Sequence, residues 1–167
     1  MASAERRPTP GAEAALPAGV ELGGEAFAAL PGEDRDWLRN SVARVLGTSG
    51  LRIDRLAVEF VGDERMRAMH ARHMGLDSVT DVLTFAQNAP GEPIDADVAV
   101  CLGEAGRRGQ GTRAGMRGEA LLYVLHAVLH AAGHDDLDEA SYRRMHAEED
   151  RILVAAGFGP IFGEGAG

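Results

Sequence analysis

Three histidines and two aspartates fall in the segment His126–Asp136, which reads HAVLHAAGHDD. Because residues four apart lie on the same face of an α-helix, His126 and His130 would project side by side if this stretch is helical. Imidazole nitrogens and carboxylate oxygens are both ordinary zinc ligands. The segment therefore predicts a metal site whose first two ligands are His126 and His130.

A chain reversal after the histidine pair would supply the third ligand. Gly133 follows His130 within one turn, and glycine readily adopts the left-handed conformation that ends a helix. The reversal can bring back His134, Asp135 or Asp136, and each of these is a reasonable zinc ligand. A histidine pair on an apolar helix is often only a packing feature, but ligands this close downstream favour a metal site.

Peptidase activity is disfavoured by the residue beside the first histidine. Zinc peptidases with a helical histidine pair carry a glutamate there as general base. This chain has Ala127 at that position, so the water that attacks a peptide bond would lack its base.

A long apolar helix, residues 116–132, is the element that must carry the histidine pair. Hydrophobic periodicity and β-branched content predict the other elements. Helices are expected at 34–46, 64–73 and 137–156, strands at 55–61, 79–85 and 97–102, and a short helix followed by a loop at 103–115. This order of elements indicates an α+β fold in which helices pack on a small sheet.

The chain has 167 residues, which suits one domain. We expect a flexible leader at 1–18, one domain at 19–160 and a loose tail at 161–167. The absence of a long apolar segment predicts no membrane association and a cytoplasmic location. Cys101, the single cysteine, fits a reducing compartment and is expected to be a small buried residue.

The net charge of −9 gives no global electrostatic argument for nucleic-acid binding. Local basic patches would have to come from two arginine clusters, although solvated helix and loop faces explain each cluster equally simply. The clusters are Arg65, Arg67 and Arg72, and Arg107, Arg108, Arg113 and Arg117.

Several segments carry a family resemblance. Residues 80–85 (TDVLTF) resemble a TDVLSF strand, residues 97–101 (DVAVC) resemble a GDIVI strand, and His126–Asp136 resembles a helical HxxxH followed by a Gly-Tyr-Asp-His turn. A closing helix is matched by Met145, Glu149, Leu153 and Gly157. Together these features, from Val58 to Gly157, resemble the YbeY family of bacterial metal-dependent endoribonucleases and rRNA maturation factors.

The chain departs from this family's pattern at two places. Asp136 stands where the family has its third histidine, and His134 stands where it has tyrosine. We favour Asp136 as the third ligand because it keeps the family spacing, with His134 as the alternative. Met74 replaces an arginine thought to contact RNA, for which Arg72 or His73 would have to substitute. His70 replaces the family's asparagine, and a solvated helix face explains His70 and His73 as well.

The resemblance implies a zincin-like fold with a small mixed sheet and a metal site on a buried central helix. It implies a metal-dependent endoribonuclease that cleaves single-stranded RNA during small-subunit rRNA maturation and ribosome biogenesis. One Zn²⁺, or another divalent metal, would be held by His126, His130 and Asp136, which are also the expected catalytic residues. Thr80 and Asp81 would shape the cleft floor, or would merely close a strand and a turn.

The implied partners are single-stranded RNA, the small ribosomal subunit and its assembly proteins. A non-catalytic ribosome assembly factor with a structural metal is the main alternative. A hydrolase acting on a small phosphate or amide is a third possibility. The sequence gives no prediction of oligomeric state.

Overall fold

The structure, a computed structural model, describes residues 14–159. It contains four strands and six helices in an α+β arrangement. In chain order the elements are β1 (Val20–Gly23), α1 (Glu25–Ala28), α2 (Gly32–Ser49), β2 (Ile53–Val61), α3 (Asp63–Met74), β3 (Val82–Ala86), β4 (Ile94–Cys101), α4 (Leu102–Gly109), α5 (Gly115–Ala131) and α6 (Glu139–Ala155).

The four strands form one mixed sheet in the order β1-β2-β4-β3. The pairs β1–β2 and β2–β4 are parallel, and β3 runs antiparallel to β4, with Val58 opposite Val98 and Leu83 opposite Ala99. The predicted α+β class with a small mixed sheet is confirmed. β3 is an edge strand of this sheet, and α5 packs against it.

Alternation along β2 divides the sheet into two faces. Leu56, Val58 and Phe60 are buried in the main core, into which α2, α5 and α6 also pack. On the other face, α3 covers a smaller cluster that includes Met66 and Leu83. Full burial of a side chain such as Leu56, Val58 or Phe60 stabilises the folded state by roughly 1.5–3 kcal/mol. Because the main core contains many more such side chains than the smaller cluster, it supplies most of the hydrophobic stabilisation.

The helix α5 is buried on almost every side, as its apolar sequence predicts. Its buried residues are Gly118, Ala120, Leu121, Tyr123, Val124, Leu125, Ala127, Val128, Leu129 and Ala131. The observed bounds differ from the predicted ones by a single residue at each end. The core therefore fixes the direction in which the half-buried His126 and His130 project.

The structure differs from the sequence-based prediction at short elements and element ends. β1 and α1 were not predicted, because four residues give too little periodicity and β1 depends on its pairing with β2. α2 continues through Gly47 to Ser49 and ends at Gly50, whose φ is 74°. β3 begins only at Val82, because the preceding Asp81 side chain accepts a 2.8 Å hydrogen bond from the Val82 N–H.

The predicted leader and tail can be compared with the structure only in part. The predicted leader lies outside the described residues up to residue 13, as does the whole predicted tail. Within the described part, Ala14 donates its N–H to Asn40 Oδ1 at 3.0 Å and Leu16 packs on the main core. The domain bounds stay a prediction. Between residues 14 and 159, no helix combines the length and the apolarity that crossing a bilayer requires.

Candidate metal centre

His126 and His130 lie one helical turn apart near the end of α5. Their ring centroids are 4.6 Å apart with an interplanar angle of 80°, and their Nε2 atoms are 3.1 Å apart. Both side chains are about one-third exposed, at 28% and 31%. The two nitrogens therefore face a common point that solvent and ions can reach.

The turn after α5 has the hydrogen bonds of a Schellman motif. Gly133 has φ of 107°, its N–H donates to the His130 carbonyl at 3.0 Å, and the His134 N–H donates to the Leu129 carbonyl at 3.0 Å. Glycine is needed here because other residues rarely adopt this φ. The turn reverses the chain and carries Asp136 back towards the histidine pair.

Asp136 completes a cluster of three ligand groups. Its Oδ2 lies 3.8 Å from His126 Nε2 and its Oδ1 lies 3.9 Å from His130 Nε2. One ligand atom from each of the three residues lies within 4.8 Å of the others. Four ligands arranged tetrahedrally at zinc distances are about 3.3 Å apart, so small movements would fit these groups to a metal.

The other two candidate ligands lie outside this cluster. Asp135 Oδ1 accepts a hydrogen bond from the Leu137 N–H at 3.2 Å. His134 is half-buried and lines a small cavity with Ser141 and Arg144. Within residues 14–159, His126, His130 and Asp136 form the only group of three such side chains with this spacing.

Glu149 of α6 orients the His126 ring through Nδ1, the ring nitrogen that is not part of the ligand cluster. Its carboxylate is almost fully buried, and Oε1 lies 2.9 Å from His126 Nδ1. This hydrogen bond raises the pKa of His126, against an opposing effect of burial. In the neutral ring, a proton held on Nδ1 leaves the Nε2 lone pair available to a metal.

Sequence reasoning did not assign Glu149 this role. A signal was present, because Glu149 occupies an apolar stripe of α6 between Met145 and Ile152, and a carboxylate at such a position needs a partner. The start of α6 is fixed by Asp138, which accepts hydrogen bonds from the Ser141 N–H at 2.7 Å and the Ser141 hydroxyl at 3.1 Å. This cap begins α6 directly after the loop that carries Asp136.

Thr80 and Asp81 lie directly before β3. The Thr80 hydroxyl is 3.3 Å from Asp81 Oδ1, the atom that also accepts from the Val82 N–H. The pKa of His126 is raised mainly by its hydrogen bond with Glu149, and the negative charge of Asp81 adds a smaller effect in the same direction. These contacts agree with the interpretation that the two residues close a turn before β3, and a role at the cleft floor stays a prediction.

Three residues at and near the arginine position of the family pattern can be placed in the structure. Met74 ends α3 with 61% of its surface exposed. His70 is buried, with Nδ1 2.9 Å from the Ser78 carbonyl, so the interpretation of His70 as a solvated residue is wrong. The His73 ring packs against Phe85 at a centroid distance of 4.7 Å.

The arginine clusters are largely neutralised by neighbouring carboxylates. Four of the seven arginines form ion pairs, and these are Arg65 with Glu59, Arg107 with Asp63, Arg108 with Glu104 and Arg117 with Asp34. These contacts agree with the interpretation of the clusters as solvated faces. They give no support to a dedicated basic patch.

Comparisons with known proteins agree on one family. The family model described as Endoribonuclease YbeY matches residues 31–157. A protein named Endoribonuclease YbeY from Anaeromyxobacter sp. (strain Fw109-5) is 34% identical over 122 residues, which cover 72% of this chain and 64% of that protein. One of the same name from Thermus thermophilus is 30% identical over 121 residues, which cover 70% of this chain and 87% of that protein.

A solved structure supports the fold. The solution structure of TM1509 from Thermotoga maritima superposes with a TM-score of 0.60 at 19% identity, covering 82% of this chain and 88% of that one. At this identity the likeness concerns the arrangement of helices and strands alone.

Proposed function

The chain belongs to the endoribonuclease YbeY family, and from that premise we propose that it is a metal-dependent hydrolase that cleaves single-stranded RNA during small-subunit rRNA maturation. The observation that carries the proposal is the convergence of His126, His130 and Asp136, whose ligand atoms lie within 4.8 Å of one another. This cluster falls inside the segment that matches the family.

The three side chains fit a divalent metal such as Zn²⁺ by their chemistry. Two imidazole nitrogens and one carboxylate oxygen are the kind of donor set that catalytic zinc sites use, with one position left for water or substrate. A bound metal would supply Lewis-acid polarisation of the scissile phosphate and of the attacking water. The hydrogen bond with Glu149 favours the form of His126 in which the proton is on Nδ1.

RNA is the substrate class that an endoribonuclease implies. We further propose the small ribosomal subunit and its assembly proteins as partners, because the rRNA precursor would be bound together with those proteins. For the same reason we propose the cytoplasm as the location. The net charge of −9 and the ion-paired arginines argue against strong, non-specific attraction to phosphate. Recognition would then rest on the cleft around the metal.

A non-catalytic assembly factor with a structural metal is the second candidate. Met74 favours it, because an apolar side chain replaces the cation that would neutralise charge on the reacting phosphate. The half-buried His126–His130 pair, which solvent can reach, favours catalysis, since structural zinc sites are closed by four protein ligands.

Cleavage of a single-stranded RNA oligonucleotide by zinc-loaded protein tests the proposal. We expect His126→Ala and Asp136→Ala to lose activity by at least about 100-fold, since each removes a metal ligand. Asp135→Ala is the matched control, because its carboxylate lies one residue away and outside the cluster, and it should retain activity. Activity that survives both ligand changes would rule out the metal nuclease. A folded, metal-bound and inert wild type would identify the assembly factor.

A further inference from the structure

The third ligand group of the metal centre presents both of its oxygens to the histidine pair. Asp136 Oδ2 is 3.8 Å from His126 Nε2, and Asp136 Oδ1 is 3.9 Å from His130 Nε2. The carboxylate is therefore nearly symmetric with respect to the two rings. A metal placed between the rings and this carboxylate can be bound by one oxygen or by both.

We infer that Asp136 shifts the metal preference of this centre, relative to a centre closed by three imidazoles, towards Mn²⁺, which prefers oxygen ligands, and towards Fe²⁺, which is bound by two histidines and one carboxylate. The inference rests on the proposed function in one respect, that His126 and His130 bind a metal. It adds which class of metal ion the third ligand selects.

Ligand chemistry is the first argument. Imidazole suits Zn²⁺, whereas carboxylate and water suit Mn²⁺, and two histidines with one carboxylate and open positions are typical of mononuclear Fe²⁺ sites. Zn²⁺ stays the tighter ion in absolute terms by the usual order of divalent affinities. Asp136 therefore reduces the difference in affinity between Zn²⁺ and Mn²⁺, while Zn²⁺ still binds more tightly.

Coordination number is the second argument. Binding by both carboxylate oxygens adds a further ligand atom before any water is counted, which departs from the tetrahedral geometry that protein zinc sites favour. The side chains of His126, His130 and Asp136 are 28%, 31% and 39% exposed, so waters have access to further positions. A larger shell of oxygen ligands is the arrangement that Mn²⁺ prefers.

The surrounding groups supply no third nitrogen in place of the carboxylate. His134 lies in the separate cavity lined by Ser141 and Arg144, outside the ligand cluster. Behind His126, the buried carboxylate of Glu149 adds a second negative charge near the site. The centre thus combines two imidazoles with two carboxylates, one that can bind the metal and one that binds a ligand ring.

Metal competition on the full chain tests the inference. Metal-free protein prepared with a chelator is titrated with Zn²⁺ against a chromophoric indicator, and with Mn²⁺ while the unbound ion is counted by electron paramagnetic resonance. We expect Asp136→His to raise the ratio of the Mn²⁺ to the Zn²⁺ dissociation constant by at least about tenfold. Asp135→His, which makes the same exchange one residue away, should leave the ratio at its wild-type value.

A second variant keeps the test decisive if Asp136→His does not fold. Asp136→Asn retains the size of the side chain and removes its charge, and it should lose more affinity for Mn²⁺ than for Zn²⁺. An unchanged or lower ratio in Asp136→His, or equal losses in Asp136→Asn, would overturn the inference while leaving the proposed function in place. Wild-type protein that binds neither ion stoichiometrically would overturn both.

Discussion

His126 is used through both of its ring nitrogens. Nε2 faces His130 and Asp136, while Nδ1 is held by Glu149 at 2.9 Å. The hydrogen bond fixes the tautomer and the rotamer of the ring before a metal binds. This preorganisation lowers the entropic cost of metal binding. The buried Glu149 therefore supports the candidate metal centre through His126, although it is not one of the three clustered ligand groups.

Replacing the carboxylate of Glu149 tests this role. Glu149→Gln keeps the shape of the side chain but weakens the hydrogen bond to His126 Nδ1, and changes of this kind lower metal affinity by about 10–100-fold. We expect a loss in that range, measured by competition with a zinc indicator. Glu148→Gln removes a carboxylate that is ion-paired with Arg151 and should leave zinc affinity unchanged. Equal affinities of Glu149→Gln and wild type would contradict the role.

Tyr123 lies three residues before His126, on the same side of α5. Its hydroxyl is buried and has no hydrogen-bond partner among the described residues, and burial raises the pKa of the phenol. A buried polar group without a partner costs free energy, whereas the ring itself packs in the core. Tyr123→Phe is therefore expected to leave the free energy of unfolding unchanged or to raise it by about 1 kcal/mol.

Urea unfolding monitored by circular dichroism measures this effect. Tyr142→Phe serves as the control, since Tyr142 is half-exposed and its hydroxyl is accessible to water. A loss of more than about 1 kcal/mol in Tyr123→Phe would show that the hydroxyl has a partner, such as a buried water.

At the scale of elements, sequence patterns predicted what local periodicity determines. α5 was predicted to within one residue because its apolar residues surround it, and Gly133 was identified as the turn because few residues other than glycine reverse a chain there. The choice among His134, Asp135 and Asp136 stayed open. It depends on the Schellman hydrogen bonds and on the Asp138 cap of α6, which together set the path of the loop.

Long-range contacts explain what the sequence did not reveal. The Glu149–His126 hydrogen bond joins residues 23 positions apart, and no local pattern pairs them. β1 is similarly defined by its parallel partner β2 and not by its own four residues. His126, His130 and Asp136 lie close together in sequence, which is why their proximity in the structure was predictable and their support by Glu149 was not.

The turn after α5 gives a prediction at this scale. Gly133→Ala places a side chain at φ of 107°, where its Cβ would lie 3.1 Å from Pro90 Cβ. Backbone strain of this kind costs about 1–3 kcal/mol, and any relaxation displaces the loop that carries Asp136. We expect a lower free energy of unfolding and weaker zinc binding, measured by urea unfolding and by indicator competition.

Gly47→Ala is the matched control. Gly47 lies inside α2 with open space around its Cβ position, so alanine should stabilise the protein by about 0.5–1 kcal/mol. Gly133→Ala protein with wild-type stability and zinc affinity would show that the turn does not position the third ligand.

On the scale of the whole molecule, the candidate metal centre would link folding to pH. The three clustered ligand groups come from α5 and from the loop before α6, and Glu149 contacts His126 from α6 itself. A bound metal would therefore connect the two helices. A ligand that binds only the folded state stabilises it by mass action, by about 2.7 kcal/mol at a concentration 100 times its dissociation constant. Unfolding would separate these ligands and release the metal.

The pKa of His126 is raised, mainly by its hydrogen bond with Glu149. This shift determines how the stabilisation of the protein by zinc changes with pH. In metal-free protein, protonated His126 stabilises the fold fully below the unfolded-state pKa of about 6.5, and this contribution is lost as pH rises through the higher folded-state pKa. Zinc requires the deprotonated ring, so protons compete with the metal. The melting temperature of zinc-loaded protein should therefore exceed that of metal-free protein by more at about pH 8 than at about pH 6.

Calorimetry at a fixed free zinc concentration tests this dependence. In His126→Ala protein the zinc-induced shift should be small at both pH values, because a ligand is missing and the proton that competes for it is absent. If the wild-type shift is the same at both pH values, the proton on His126 does not oppose the metal. The ring would then not be a ligand, and Glu149 would hold it as a structural ion pair within the core.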